Sequence, residues 1–208
     1  MKISVLGTGD VGQMIASKLV QLGHEVKMGS RTATNEKAAA WAKKSGTNAT
    51  VGTFAESAKH GDVVFNCTLG SACLEALKLA GEANLGNKVL IDVSNPLDFS
   101  KGMPPSLFIS NTDSMGETIQ RTFPNARVVK ALNTMANPIM VNPRMLPDSH
   151  YTFMAGNDSG AKETVRGILS QFGWKADEIM DLGPISSSRG LEQWLPLWAQ
   201  IFGATKNP

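Results

Sequence analysis

Gly7-Thr8-Gly9-Asp10-Val11-Gly12 is the stretch of sequence that decides the fold. It directly follows the β-rich run Lys2-Ile3-Ser4-Val5-Leu6 and opens a segment whose apolar residues recur at helical spacing. Glycines at these three positions permit a tight turn, a close approach of the backbone to a pyrophosphate and close packing of helix on strand. The helix N-terminus also favours an anion. We therefore predict that a dinucleotide pyrophosphate is bound by Gly7, Thr8, Gly9, Asp10, Val11 and Gly12; the alternative is a glycine turn without a ligand.

The end of the second predicted strand, residues 25–28, indicates which dinucleotide binds. Sites for NAD usually place a carboxylate about 20 residues beyond the glycine turn, where it binds the ribose 2′-hydroxyl. This chain instead has Arg31, 19 positions after Gly12 (31 minus 12), and Ser30 precedes it. A guanidinium and a hydroxyl suit a 2′-phosphate, which a carboxylate would repel. We predict NADP(H); the alternative is that Arg31 is only a solvated loop cation.

Strands and helices alternate along the rest of the chain, which predicts an α/β fold with a Rossmann-type, doubly wound and largely parallel sheet. We expect one domain over residues 1–208, with a short C-terminal α/β extension from about residue 151 packed on it. The Pro-, Gly- and Ser-rich segment 94–113 is predicted to be a loop near the strand carboxyl ends. Strands are predicted at 2–6, 25–28, 62–66, 88–93, 127–131, 151–155 and 178–181, and helices at 11–22, 35–44, 53–59, 72–80, 114–123, 158–171 and 187–201.

The composition excludes several classes of protein. The 208 residues carry 20 basic and 18 acidic side chains, a net charge of +2, which is too balanced to indicate a nucleic-acid or membrane surface. Cys67 and Cys73 lack partners at metal-ligand spacing, so we expect no metal site and two reduced, buried thiols. No apolar run approaches membrane-spanning length, and the chain runs from Met1 straight into a strand. We therefore expect a cytoplasmic protein.

From Met1 to about Phe202 the chain resembles the NADPH-dependent reductases of the deazaflavin coenzyme F420. That domain is also similar to the cytoplasmic NADPH domain of the six-transmembrane metalloreductases. The resemblance rests on the order and spacing of five blocks, which are more specific than the glycine turn alone. The blocks are Gly7-Thr8-Gly9-Asp10-Val11-Gly12, Gly29-Ser30-Arg31, Asn95-Pro96-Leu97, Val128-Val129-Lys130-Ala131-Leu132-Asn133-Thr134 and Gly183-Pro184-Ile185-Ser186-Ser187-Ser188-Arg189.

The resemblance implies a set of site residues. Residues 8–11 would bind the pyrophosphate, and Ser30 with Arg31 would hold the 2′-phosphate. The family often has a proline-aromatic pair after the third predicted strand, where this chain has Leu69-Gly70-Ser71. This difference leaves open the identity of the second substrate, which accepts the hydride. The resemblance also implies a homodimer, with the C-terminal helices contributing to dimerisation and to the acceptor site. The residues implied around the ribose and the nicotinamide are Cys67, Thr68, Leu69, Gly70, Asn95, Pro96, Leu97, Asn133, Thr134, Met135 and Ala136.

No catalytic residue is assigned from the sequence. Reductases of carbonyls or imines need a proton donor beside the nicotinamide. Lys130 lies inside a predicted strand, where it could reach a pocket, extend its ammonium to solvent by snorkelling, or be salt-bridged. Trp194, Trp198 and Phe202 could wall an acceptor pocket, form a dimer seam or simply pack in the core. The remaining candidate donors are His24, His60 and His150, for which we favour surface positions, and Tyr151, which has no lysine four residues on.

Three functions are therefore compatible with the sequence. The leading hypothesis is an NADPH-dependent oxidoreductase that passes hydride to a small planar acceptor such as a deazaflavin or a flavin, because such transfer chiefly needs two aligned, stacked rings. The second is an NADPH-dependent reductase of a small carbonyl or imine substrate. The third is an NADPH-sensing regulatory protein without turnover.

Overall fold

The computed structural model describes residues 1–205, which form ten strands and nine α-helices. The strands are β1 (Lys2–Leu6), β2 (Glu25–Ser30), β3 (Ala49–Thr53), β4 (Val63–Asn66), β5 (Val89–Asp92), β6 (Leu97–Asp98), β7 (Ser106–Leu107), β8 (Arg127–Ala131), β9 (Thr152–Gly156) and β10 (Ile179–Asp181). The helices are α1 (Asp10–Gln21), α2 (Glu36–Ser45), α3 (Phe54–His60), α4 (Gly70–Ala80), α5 (Glu82–Leu85), α6 (Met115–Thr122), α7 (Asn137–Val141), α8 (Ser159–Phe172) and α9 (Ser188–Thr205).

Eight strands form one sheet in the order β10-β9-β8-β5-β4-β1-β2-β3. Six neighbouring strands of this sheet, β8, β5, β4, β1, β2 and β3, are mutually parallel. Strand β9 runs antiparallel to β8, and β10 runs parallel to β9. The order reverses at β1, which lies between β2 and β4. Ligands of such sheets bind in the crevice at this switch point, beyond the strand carboxyl ends. The predicted fold class, a Rossmann-type and largely parallel α/β sheet, is confirmed.

Helices cover both faces of the sheet, and each face has its own hydrophobic core. Successive residues of β4, β5 and β8 point alternately into the two cores, as the pleat of a strand requires. Because these strands are buried on both faces, they are apolar except at Lys130 and at the ends that carry Asn66, Asp92 and Arg127. One core contains Phe65, Ile91 and Val129 with Ile15, Leu19, Val165 and Ile168. The other contains Val64, Leu90 and Val128 with Phe54, Ala76, Leu77 and Ile119.

Five of these strands and helices were missed by the sequence patterns, and each is short: β3, α5, β6, β7 and α7, of which α5 has only four residues. The edge strand β3 contains Thr50, Gly52 and Thr53, so it has too few apolar residues to show a strand period. The predicted loop 94–113 holds a two-stranded antiparallel ribbon of β6 and β7. Helix α7 has five residues and Pro138 in its first turn. Helix α9 continues past Pro196 to Thr205, beyond its predicted end.

The strands β9 and β10 of the predicted C-terminal extension join the same sheet as the N-terminal strands. Residues 206–208 of the predicted domain lie outside the described residues, and the number of domains stays a prediction. Among residues 1–205, no helix combines the length and the apolar character needed to cross a bilayer.

Candidate dinucleotide-binding site

A cavity of about 670 Å³ lies at the carboxyl ends of β1, β2, β4 and β5. It brings together thirteen of the predicted site residues from four separate segments of the chain. They are Gly7, Thr8, Gly9, Asp10, Val11, Ser30, Arg31, Cys67, Thr68, Leu69, Gly70, Asn95 and Leu97. The other six predicted residues do not line it; they are Gly12, Pro96, Asn133, Thr134, Met135 and Ala136.

The glycine turn has the geometry of an anion cradle. Gly7 has a φ of +121°, and a side chain there would meet the Cys67 carbonyl oxygen at 2.6 Å. Gly12 fixes α1 against β1, since a Cβ on Gly12 would lie 2.3 Å from the Gly7 carbonyl oxygen. Gly9 instead faces open space, since a Cβ at this position would meet no atom within 4 Å, and it precedes α1 without any side-chain cap. The first N–H groups of α1 and the positive end of its dipole are therefore available to an anion.

The carboxyl end of β2 provides the positive charge of the cavity. Arg31 is exposed and makes no ion pair or hydrogen bond with any residue from 1 to 205. Ser30 is buried, and its hydroxyl donates to the Thr32 carbonyl oxygen at 2.5 Å, which shapes the turn that presents Arg31. Asn35 also lines the cavity and caps α2 by accepting from the Ala38 N–H at 3.0 Å. Asn35 was not among the predicted site residues, although an asparagine before a helical segment is a capping signal.

A buried hydrogen-bond network supports the opposite side of the cavity. The Asn66 side chain accepts from the Thr68 hydroxyl at 2.7 Å and donates to Asp92 Oδ1 at 2.8 Å. The Ser94 hydroxyl donates to the same Asp92 oxygen at 2.7 Å. Thr68 and Ser94 both line the cavity, whereas Asn66 and Asp92 are fully buried behind them. The carboxyl ends of β4 and β5 thus hold the two loops in fixed positions.

Lys130 anchors this network and does not line the cavity. Its fully buried ammonium lies 2.6 Å from Asp92 Oδ2, 2.7 Å from Glu192 Oε1 and 2.7 Å from the Ser94 carbonyl oxygen. Burial acts to lower the pKa of Lys130, but the carboxylates of Asp92 and Glu192 outweigh it, so the pKa is raised. All three protons of the ammonium therefore have acceptors. The structure supports the salt-bridged alternative for Lys130, with Asp92 and Glu192 as partners that were not predicted from the sequence.

The segment after β8 forms the next layer behind the cavity. Asn133 donates to Asn95 Oδ1 at 2.8 Å, and Asn95 donates to the Asn133 carbonyl oxygen at 2.9 Å. The same Asn133 amide reaches the Leu191 carbonyl oxygen of α9 at 3.1 Å, and the Trp194 indole donates to the Thr134 carbonyl oxygen at 3.0 Å. Of the residues predicted to border the nicotinamide after β5 and β8, Asn95 and Leu97 reach the cavity wall, joined by Phe99. The roles of Asn133, Met135 and Ala136 stay predictions.

No histidine, lysine or tyrosine of the described chain lines the cavity. The three histidines bond elsewhere: His24 to Gln171 at 2.8 Å, His60 to the Glu25 carbonyl oxygen at 3.4 Å, and His150 to the Asp148 carbonyl oxygen at 2.8 Å. The predicted surface position is wrong for His24, which is buried. Tyr151 is exposed. Burial raises the pKa of both cysteine thiols, which stay protonated. Cys73 is buried as predicted, but Cys67 is only partly buried and lines the cavity. Within residues 1–205, no three His, Cys, Asp or Glu side chains are grouped as a metal would require.

The strand order, the uncapped helix and the cavity together define a dinucleotide-binding protein of the Rossmann class. Residues 2–96 match the family described as NADP oxidoreductase, coenzyme F420-dependent. A crystal structure from Arthrobacter sp. FB24, provisionally described as an F420-dependent NADP reductase, is 43% identical and superimposes with a TM-score of 0.93. The match covers 100% of this chain and 96% of that one. The chain belongs to this family of NADP-dependent oxidoreductases, and the resemblance inferred from its sequence is confirmed.

Two further similarities are more partial. The rat metalloreductase STEAP3 is 30% identical over 207 residues, which are 95% of this chain and 38% of that protein. This chain therefore spans well under half the length of the metalloreductase. An imine reductase from Streptomyces aurantiacus superimposes with a TM-score of 0.67 at 18% identity, covering 98% of this chain and 62% of that one. A likeness at that identity shows a shared fold.

Proposed function

We propose that the protein is an NADPH-dependent reductase that transfers hydride between NADP(H) and a planar acceptor such as a deazaflavin or a flavin. The cavity residues fit the cofactor on three observations: the open space over Gly9, the uncapped start of α1, and the unpaired guanidinium of Arg31 among residues 1–205. When bound, the nicotinamide supplies the hydride chemistry. The protein residues bind the phosphates, orient the ring and exclude water.

The observation that carries the choice of acceptor is the apolar character of the cavity wall formed by the segments after β4 and β5. Leu69 is 75% exposed and Phe99 is 52% exposed, and both line the cavity together with Leu97. Two large exposed apolar side chains at one cavity offer a surface on which a flat ring can stack. Transfer between two stacked rings needs alignment and no protein acid. This agrees with the residues found along the cavity.

A panel of acceptors tests this proposal. We expect NADPH oxidation, followed by its near-ultraviolet absorbance, with coenzyme F420 or a free flavin as acceptor, and no turnover with a cyclic imine, a small ketone or a ferric chelate. Turnover confined to the imine or the ketone would establish the small-substrate reductase instead. Tight NADPH binding without turnover on any acceptor would favour the sensor. An absence of NADPH binding by calorimetry would remove the proposal altogether.

We further propose that α9 contributes a homodimer interface, as the family resemblance implies. Trp194, Leu197, Ile201 and Phe202 are between 38% and 51% exposed along this helix, and Trp198 stacks on Phe202 with ring centroids 5.5 Å apart. We expect a dimer in sedimentation velocity, and a monomer for Leu197→Asp, because a carboxylate in an apolar interface is costly to desolvate. Leu79→Asp on α4, also 50% exposed, is the matched control. A monomeric parent protein would contradict this interface.

Action of the protein in the cytoplasm also stays a prediction.

A further inference from the structure

Two carboxylates line a cavity that we propose to hold a polyanion. Asp10 and Glu75 face it, and within residues 1–205 Arg31 is its single cationic side chain. Asp10 is explained by its place in the first turn of α1, where a negative charge interacts favourably with the helix dipole. Glu75 lies in the second turn of α4, is exposed, and makes no hydrogen bond or ion pair with any described residue. Its carboxylate therefore has no partner within residues 1–205 and is available to a ligand.

The surroundings of Glu75 form an apolar slot with the carboxylate at its edge. Two alanines of α4 line the cavity beside Glu75; they are Ala72, one helical turn earlier, and Ala76, the next residue. Phe54, at the start of α3, also lines it. Phe54 and Ala76 belong to the core between α3 and α4, so this wall is rigidly packed. Two alanines and a phenylalanine leave room for a flat, weakly polar ring. A carboxylate at the rim of such a slot selects a ring that carries an N–H group at its edge.

The slot lies in the half of the cavity where the adenosine part of a dinucleotide binds. Phe54 directly follows β3, the neighbour of β2, whose end carries Arg31. Thr68, Ser94 and Asn95 lie at the other side, after β4 and β5. The phosphates of the adenosine half only accept hydrogen bonds, and the ring edge of adenine carries an amino group that donates. A ring with a carbonyl oxygen at that place would face the carboxylate with two acceptors opposed.

We propose that Glu75 accepts a hydrogen bond from the 6-amino group of adenine and thereby determines the purine specificity of the site. This inference rests on the proposed NADPH-binding function. It makes Glu75 a specificity-determining residue, because its carboxylate accepts from the amino group at position 6 of adenine and opposes the carbonyl oxygen that hypoxanthine carries there.

The test compares NADPH with its hypoxanthine analogue, in which a carbonyl oxygen replaces the amino group. Dissociation constants are measured by calorimetry for the parent protein and for Glu75→Ala. We expect the parent to prefer NADPH by about tenfold or more, because a hydrogen bond to a charged group is replaced by two opposed acceptors. In Glu75→Ala the preference should fall below about threefold, chiefly through weaker NADPH binding.

Two further variants separate base recognition from general effects of charge. In Glu75→Gln the amide oxygen can accept from adenine and the amide nitrogen can donate to hypoxanthine, so we expect NADPH affinity to recover relative to Glu75→Ala while the preference stays small. Asp10→Asn removes the other cavity carboxylate, and it should change both dissociation constants by the same factor. An unchanged preference in Glu75→Ala, with NADPH still bound, would refute the role of Glu75 and leave the proposed function intact. If the parent protein bound neither nucleotide, both proposals would fall.

Discussion

Lys130→Met is expected to lower the free energy of unfolding by about 3–5 kcal/mol, because it removes one partner of a buried ion pair. The Lys130 ammonium is fully buried between Asp92 and Glu192, at 2.6 and 2.7 Å. Methionine is similar in shape and leaves no large cavity, so the loss measures the two carboxylates left without their cation. Urea unfolding followed by circular dichroism gives the change directly.

The control for this substitution is Lys162→Met. Lys162 pairs with Asp181 at 2.8 Å, but the side chains of this pair are 15% and 30% exposed. Solvent screens such a pair, and its loss should cost less than about 1 kcal/mol. Equal losses for Lys130→Met and Lys162→Met would contradict the anchoring role of Lys130. The double variant Lys130→Met with Glu192→Gln should be more stable than Lys130→Met alone, since it removes one of the two unpaired charges.

The pH dependence of the stability lost in Lys130→Met provides a second readout. Burial raises the pKa of Glu192, and Lys130 opposes that effect. Without Lys130 the pKa of Glu192 rises further above its unfolded value, and stability is then lost as pH rises through the folded-state pKa. The difference between the parent protein and Lys130→Met should therefore be larger at about pH 8 than at about pH 5. A difference that grows towards acid pH would exclude Glu192 as the group left unpaired.

The parts of the site that depend on local chain geometry could be predicted from the sequence. The glycine turn is contiguous, and it follows a strand and starts a helix, so its residues are placed by backbone geometry alone. Arg31 lies one strand further, at a distance that the βαβ unit fixes. These two segments supply seven of the thirteen predicted residues that line the cavity.

The remaining wall depends on which strands are neighbours, and the hydrophobic pattern does not encode that. Asp92 and Lys130 are 38 residues apart and meet because β5 and β8 are adjacent in the sheet. Glu192 is a further 62 residues along the chain (192 minus 130). The sequence did contain one signal, a lysine inside an apolar strand, which a buried strand tolerates only with a partner. Glu75 gave no such signal, because a glutamate on an amphipathic helix is ordinary until the packing of α3 on α4 defines the slot.

The direction of β9 shows the same limitation. The strand was predicted from its apolar residues, but side-chain alternation has the same period of two in parallel and antiparallel strands. The connection from β8 to β9, residues 132–151, contains α7, and β9 returns antiparallel to β8. As a result the sheet ends in two strands, β9 and β10, that run opposite to the other six. The segment 183–187, which leads into α9, starts beside β9.

Arg31→Ala is expected to weaken NADPH binding by roughly 10- to 100-fold, the effect of losing charge-assisted hydrogen bonds to a phosphate. NADH lacks the 2′-phosphate, so its dissociation constant should change by less than about twofold. The expectation follows from the position of Arg31 at the end of β2, where it lines the cavity and has no carboxylate partner in residues 1–205. An arginine already held by a protein carboxylate would not be free to bind a phosphate. Calorimetric titration of both nucleotides at one fixed ionic strength measures the ratio of the NADPH and NADH dissociation constants.

Two variants distinguish direct binding from a general loss of positive charge. Lys37→Ala removes a cation on α2 that is exposed but does not line the cavity, and it should leave the ratio of NADPH to NADH affinity unchanged. Arg31→Lys keeps the charge and loses the planar fork of donors, so it should recover part of the NADPH affinity and show a steeper loss with added salt. Equal weakening of NADPH and NADH in Arg31→Ala would exclude Arg31 from the 2′-phosphate site. The preference for NADP(H) would then have to come from the α2 N-terminus, beside Asn35, where the backbone N–H groups of the first turn are the remaining donors.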